Sequence, residues 1–367
     1  MTKTIALDWL AVYGYMGYEH QGIILPFPEL PRQDGYTYER MPYGTRQYSQ
    51  LWQIKVGKEL FCEVQRAPYS PQLHPAGCIV KFANRVLYTP DAHELIARFL
   101  DEHYISVQSV SRCDVCCDFQ RFHTMTPHEL IVGFASMTLR HIGRGDGACY
   151  FEHDAHKDPV TKVSEYYMHY SGISFGSKSS DIRVYLYNKT KELAEVKDKP
   201  YIRDTWAAAG MVASATHPVW RLEVSISGKG TTFRDAKTDD VITIVWHMLF
   251  DALELARIFF TFIDRYFQFV KNRPGIRNIT REPRIKLFDD TAPIYDRRVL
   301  RSVSGGNRSE KIAIHKLWQM SEEYRAMDNE SDRKRTQQLA QDLATATDLG
   351  QWLEFKQTQW PEKPRKI

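Results

Sequence analysis

Cysteine is sparse in this chain: Cys62, Cys78, Cys113, Cys116, Cys117 and Cys149 are all there are in 367 residues. That is too few for a disulfide framework at this length, so a small stapled scaffold is excluded and reducing surroundings are expected. Long apolar runs are missing too. The most apolar stretch, 241–270, is interrupted by His247, Asp251, Glu254, Arg257, Asp264 and Arg265 at mostly helical spacing. It reads as a long amphipathic helix, not a membrane span. Asp8 breaks the apolar run that follows Lys3, so no secretory signal is expected. No charge sign dominates either, since 49 Lys and Arg stand against 45 Asp and Glu. Binding to a polyanion must therefore rest on local clusters. There is no fixed-period repeat. The expectation is a soluble cytoplasmic protein with no membrane association.

Several familiar chemistries lack their residues. Cys113-x-x-Cys116 has the spacing of half a zinc site, but on a strand the two side chains face opposite ways and no second pair exists. His153-x-x-His156 lies in a polar loop, and there is no His-hydrophobic-His pair. Gly172-x-x-x-Gly176-Ser-Lys-Ser misses the phosphate-loop spacing by one and leads into a strand, so nucleotide hydrolysis is not expected.

What is present is a succession of short alternating runs with few helices between them. Strands are expected at 4–16, 50–55, 59–65, 78–83 and 106–120, with helices at 90–103, capped by Asp91, and at 127–142, where Thr126 caps and Pro127 fills the first turn. The runs 165–175 and 181–189 flank a Gly/Ser/Lys turn and read as a hairpin, and 219–226 reads as a further strand. Two terminal helices are expected at 309–327 and 331–357. The pattern predicts an α+β fold: a large, mainly antiparallel sheet with helices packed on one face, plus a C-terminal helical region. Its parts are 1–235, the helix within 236–272 completing the core, an irregular segment 273–308, and a helical region 309–367.

Three of the strands carry one polar face each. In 112–119, Cys113, Val115, Cys117 and Phe119 oppose Arg112, Asp114, Cys116 and Asp118. In 182–189, Ile182, Val184 and Leu186 oppose Arg183, Tyr185, Tyr187 and Lys189. In 220–226, Trp220, Leu222, Val224 and Ile226 oppose Arg221, Glu223 and Ser225. Paired, they would gather carboxylates, tyrosines, arginines and a lysine on one surface. Asp114 and Asp118 lie roughly 13 Å apart along an extended strand, so one ion would need one of them plus a carboxylate from a neighbouring strand, such as Glu223. A solvated face of cross-strand ion pairs is the plainer alternative.

These segments resemble the motifs of the replication initiation factor family, Rep_trans, which includes rolling-circle plasmid and phage initiators and related mobile-element relaxases. The resemblance lies in Arg112-Cys-Asp114-Val-Cys-Cys-Asp118, in Phe175-Gly-Ser-Lys-Ser-Ser180 leading to Tyr187-Asn-Lys189-Thr-Lys-Glu192, in Trp220-Arg-Leu-Glu223-Val, and in Leu7-Asp8-Trp9-Leu10. Order and spacing agree from about 4 to 270. One departure is Arg183, four residues before Tyr187 where relatives place an arginine two before; position 185 is a second tyrosine.

The resemblance implies a catalytic nicking domain over 1–235. In it a tyrosine oxygen attacks one DNA strand, keeps the 5′-phosphate as an ester and frees a 3′-OH to prime synthesis. It assigns Tyr187 as nucleophile with Lys189 beside it, and Asp114 and Glu223, with Asp8 and Asp118 as second choices, as ligands of Mg²⁺ or Mn²⁺. Lys178, Arg183, Tyr185 and Arg221 are the expected DNA contacts there. Separately, 271–308 holds ten Lys or Arg against four acidic residues, and Arg273, Arg277, Arg281 and Arg284 suit phosphate contact. Expected partners are origin duplex and single-stranded DNA, with a host helicase and a second copy of the chain as further candidates. A conjugative relaxase, or a non-catalytic DNA-binding protein on the same sheet, is the alternative.

Overall fold

Apolar–polar alternation, sustained through successive strands, builds a ten-stranded sheet whose two faces differ in character. The computed structural model describes residues 2–17, 35–71, 73–143, 149–153, 170–177, 179–196, 198–273, 275, 278–289, 294–299, 308–346, 349–350 and 353–354. In chain order the elements are β1 (Lys3–Met16), β2 (Tyr36–Arg40), β3 (Tyr48–Val56), β4 (Glu59–Pro68), β5 (Gly77–Phe82), the short α1 (Asn84–Leu87) and α2 (Ala92–Glu102). Then come β6 (Ile105–Phe119), α3 (Pro127–Ala135), β7 (Leu139–His141), β8 (Cys149–His153), β9 (Tyr170–Phe175), β10 (Ile182–Asn188), α4 (Lys189–Glu195), α5 (Pro200–Ala208) and β11 (Trp220–Ser227). The first unit, Met1–Val299, ends with β12 (Thr232–Asp235), β13 (Val241–Thr243), α6 (Ala252–Tyr266), β14 (Phe269–Lys271) and β15 (Arg297–Val299).

The sheet order is β2-β3-β4-β5-β1-β6-β11-β10-β9-β8, and every pairing is antiparallel. Leu7, Leu10, Val12, Cys113, Val115, Cys117, Val184, Leu186, Leu222 and Val224 make its apolar face. That face packs with Ile96 and Phe99 of α2 and Ile258, Phe259 and Phe262 of α6 in one core. Burying each such side chain favours folding by about 1.5–3 kcal/mol, and this holds the helix layer to the sheet. Gly176 opens the turn between β9 and β10 at φ +93°, where a Cβ would meet the Ile182 carbonyl oxygen at 2.7 Å.

The α+β class and antiparallel sheet agree with the sequence expectation; the helix expected over 241–270 is corrected. Val241-Ile-Thr243 is a β-branched run and pairs with β12, a single-turn 3-10 helix follows, and Asp251 accepts from the amides of Leu253 and Glu254 to start α6. The helix expected at 127–142 ends at Ala135, because 139–141 pairs with β14. Its capping box at Thr126 and Glu129 is present.

The second unit, Leu300–Ile367, contains α7 (Arg308–Ala326) and α8 (Glu330–Ala346), which bury Ile314, Ala340 and Ala344 between them. Among the described residues, no helix is long and apolar enough to cross a membrane.

One buried cation stands where β1, β6 and β11 meet. Arg221 is fully buried; its Nε and Nη2 donate to the two oxygens of Asp118 at 2.7 Å each, and its Nη1 donates to Asp8 Oδ1 at 2.6 Å. Tyr88 donates to the same Asp8 oxygen, and the Trp206 indole donates to Asp118. Replacing Arg221 with Met should therefore lower stability by about 3–5 kcal/mol, since two buried carboxylates lose their counter-charge. Urea denaturation of the purified variant measures this; a loss below about 1 kcal/mol would contradict it.

Candidate active site

The strand register stacks three rows across β6, β11 and β10 on the polar face. Asp114 opposes Ser225, which opposes Arg183. Cys116, Glu223 and Tyr185 form the next row, and Asp118, Arg221 and Tyr187 the third. The β1–β6 register shifts between Leu7 and Trp9, so Asp8 is an extra, bulged residue. Asp8 faces the polar side as alternation from Leu7 requires, and the bulge lets Leu10, an odd number of residues from Leu7, return to the core.

Tyr187 lies at the centre of this geometry. Its hydroxyl donates to Glu223 Oε2 at 3.0 Å and accepts from Lys189 Nζ at 3.4 Å. Lys189 was expected to continue the strand, and the structure corrects this. Asn188 caps α4 by accepting from the Lys191 amide, so Lys189 is the first helical residue. Its side chain still reaches back to Tyr187 and pairs with Glu192 at 2.6 Å. On the other side of Tyr187, β9 places Gly172 opposite it, and a Cβ there would come within 3.1 Å of the Tyr187 Cβ. Glycine thus keeps space beside the tyrosine.

Burial dominates the electrostatics. It pushes Glu223 up to about 7, helped by the Asp114 and Asp8 carboxylates and opposed by Arg221 and Lys189. Burial also raises Asp114, against Arg112, which donates from Nε at 2.9 Å and Nη2 at 2.6 Å to its two oxygens. Asp8 is opposite: burial raises it, but Arg221 and Lys189 outweigh that and hold it well below the usual carboxylate range. Tyr187 is pushed well above 10 by burial and then by the Glu223 charge, so its hydroxyl is protonated at rest.

The other expected residues divide. Arg183 lies on the polar face with its guanidinium 4.5 Å from the Tyr185 ring centre. Asp118 and Arg221 are not available for the roles expected of them: Arg221 is enclosed and cannot meet DNA, and both Asp118 oxygens are taken by it and Trp206. Lys178 and Arg277 lie outside the described residues. Arg273, Arg281 and Arg284 are exposed, but Ile285, Leu287 and Phe288 anchor their segment to the core beneath the apolar face, away from Tyr187. Tyr88, Asn84 and Trp206, which brace Asp8 and Asp118, carried no sequence signal because they sit on short helices, or in the turn that ends one, outside any motif.

Among the described residues, no three or more His, Cys, Asp or Glu side chains are grouped to hold a metal ion. Beyond burial, Asp8 raises Asp114, and both raise Glu223, although Arg112 pairs with Asp114 and Arg221 with Asp8. That donor set fits a hard divalent cation that completes its shell with water and phosphate oxygens, provided Arg112 yields its place on Asp114.

No family model matches this chain, and no curated protein matches it. It is similar to a solved structure described as that of a rolling circle replication initiator protein from Geobacillus stearothermophilus, with a TM-score of 0.45 and 15% identity over 77% of this chain and 92% of that one.

The raised Glu223 predicts a pH dependence. A carboxyl whose folded value of about 7 exceeds its ordinary 4.5 favours folding below the ordinary value, and that contribution is lost as pH rises through 7. Stability should fall between pH 5 and 8, and Glu223→Gln should flatten the fall and stabilise the protein at pH 8 by roughly 1–3 kcal/mol. Denaturation midpoints at the two pH values measure it; an equal slope in the variant would contradict it.

Proposed function

We propose that this protein cuts and rejoins one strand of DNA through a covalent tyrosine ester, as an initiator of rolling-circle replication. The observation that carries the reading is the Tyr187 hydroxyl held between Glu223 and Lys189, on the sheet face that also bears Asp114. The motif resemblance around these same residues supports it.

In this reading the Tyr187 oxygen attacks a backbone phosphorus. A bond forms from that oxygen to phosphorus, and the bond from phosphorus to the 3′-oxygen breaks. Glu223 already accepts the phenolic hydrogen bond, so in this reading it takes the proton as attack begins and gives it up to the departing 3′-oxygen. Lys189 supports the developing phenolate charge, which burial would otherwise oppose. Rejoining is the reverse: the 3′-OH attacks phosphorus and Tyr187 recovers its proton. Asp114 and Glu223 would hold the divalent ion, Mg²⁺ or Mn²⁺, which supplies Lewis-acid polarisation of the phosphate when bound. Arg183 and Tyr185, stacked on the same face, are the proposed contacts to the strand.

Tyr187→Phe removes one oxygen and little volume. It should abolish conversion of supercoiled plasmid carrying the protein's own locus to open circle in Mg²⁺ or Mn²⁺, a loss of at least a thousandfold, while DNA binding persists. Tyr185→Phe should keep most of the nicking. Gel assays of both variants decide it: robust nicking by Tyr187→Phe would refute the assignment.

A further inference from the structure

On the helix layer that covers the apolar face, a cavity of about 430 Å³ opens beside α6. Four cationic side chains from four segments line it: Lys237 after β12, Arg265 on α6, Arg284 after β14, and Arg297 on β15. Only two carboxylates, Asp264 and Asp296, share the lining. Arg284 is 3.6 Å from Asp264, whereas Lys237 and Arg265 have no carboxylate in ion-pair range among the described residues. Arg265 gives its Nη1 to the Arg297 carbonyl at 3.0 Å, yet its Nε is buried without a hydrogen-bond partner. A buried donor left unpaired is uncommon in a folded protein. The Tyr295 ring forms part of the wall, with its hydroxyl turned away to Glu254.

We propose that this cavity binds a phosphate-bearing ligand, with the phosphate among Lys237, Arg265 and Arg284, while Arg297 stays engaged with Tyr266. The volume suits a mononucleotide-sized group. Guanidinium groups from separate elements offer the directed donors that phosphate oxygens take up. The phosphate could belong to a free nucleotide or to one residue of a DNA strand. The site is on the opposite side of the sheet from Tyr187, so it stands or falls independently of the nicking chemistry.

The test uses the full chain and two probes, dATP and a twelve-residue single-stranded oligonucleotide, titrated by calorimetry. Lys237 and Arg284 are exposed, so their joint replacement by Ala should leave the fold intact. Lys237→Glu alone serves if thermal melting shows otherwise. The expected result is a loss of affinity of roughly tenfold or more for at least one probe. A loss confined to dATP identifies a free nucleotide as the source, and one confined to the oligonucleotide identifies a strand phosphate. If the unaltered protein binds neither probe, or the variants bind both as tightly as it does, the proposal is wrong.

Discussion

A single buried guanidinium underlies the arrangement of this sheet face. Arg221 joins Asp8 on β1 and Asp118 on β6 from its own strand β11, and Tyr88 and Trp206 complete the acceptors and donors around it. Water cannot serve these groups once they are enclosed, so each depends on the others. The cluster fixes the three strands whose neighbouring rows carry Asp114 and Glu223. The same cation offsets part of the negative charge that would otherwise drive Glu223 higher. Scaffold and chemistry thus share one electrostatic balance.

That balance is left incomplete on the side facing Tyr187. Arg112 answers Asp114 and Lys189 answers Glu192, yet Glu223 keeps a value near neutrality because burial raises it and two carboxylates remain close to it. A group poised there can accept a proton and release it again at physiological pH. In the proposed reaction this is the property that links the Tyr187 proton to the leaving oxygen in both directions. Gly172 adds a steric provision by leaving room next to the Tyr187 Cβ.

The sheet and its polar rows were legible in the sequence because a two-residue period needs only correct strand assignment. Asp114, Tyr187 and Glu223 alternate with Val, Leu and Cys that have one plausible destination, the core. What was not legible involved contacts between faces and elements. Arg221 and Asp118 look exposed by alternation, and only the packing of Tyr88 and Trp206 against them shows that they are enclosed. The apolar run 241–270 has helical spacing, but its β-branched start found a strand partner in β12. β2 was missed because Tyr36–Arg40 alternates too briefly to stand out, and its place depends on pairing with β3. The Asp8 bulge depends on register, which no local pattern records.

The central claim is that Tyr187 forms a phosphodiester link to the 5′ side of a cut DNA strand. Incubation with Mn²⁺ and a labelled single strand from the protein's own locus, followed by proteolysis and mass spectrometry, tests this directly. The account predicts a nucleotide adduct on the peptide containing Tyr187, attached through a 5′-phosphate. An adduct on Tyr185 or on any other residue, or cleavage that leaves no protein-bound strand, would contradict it.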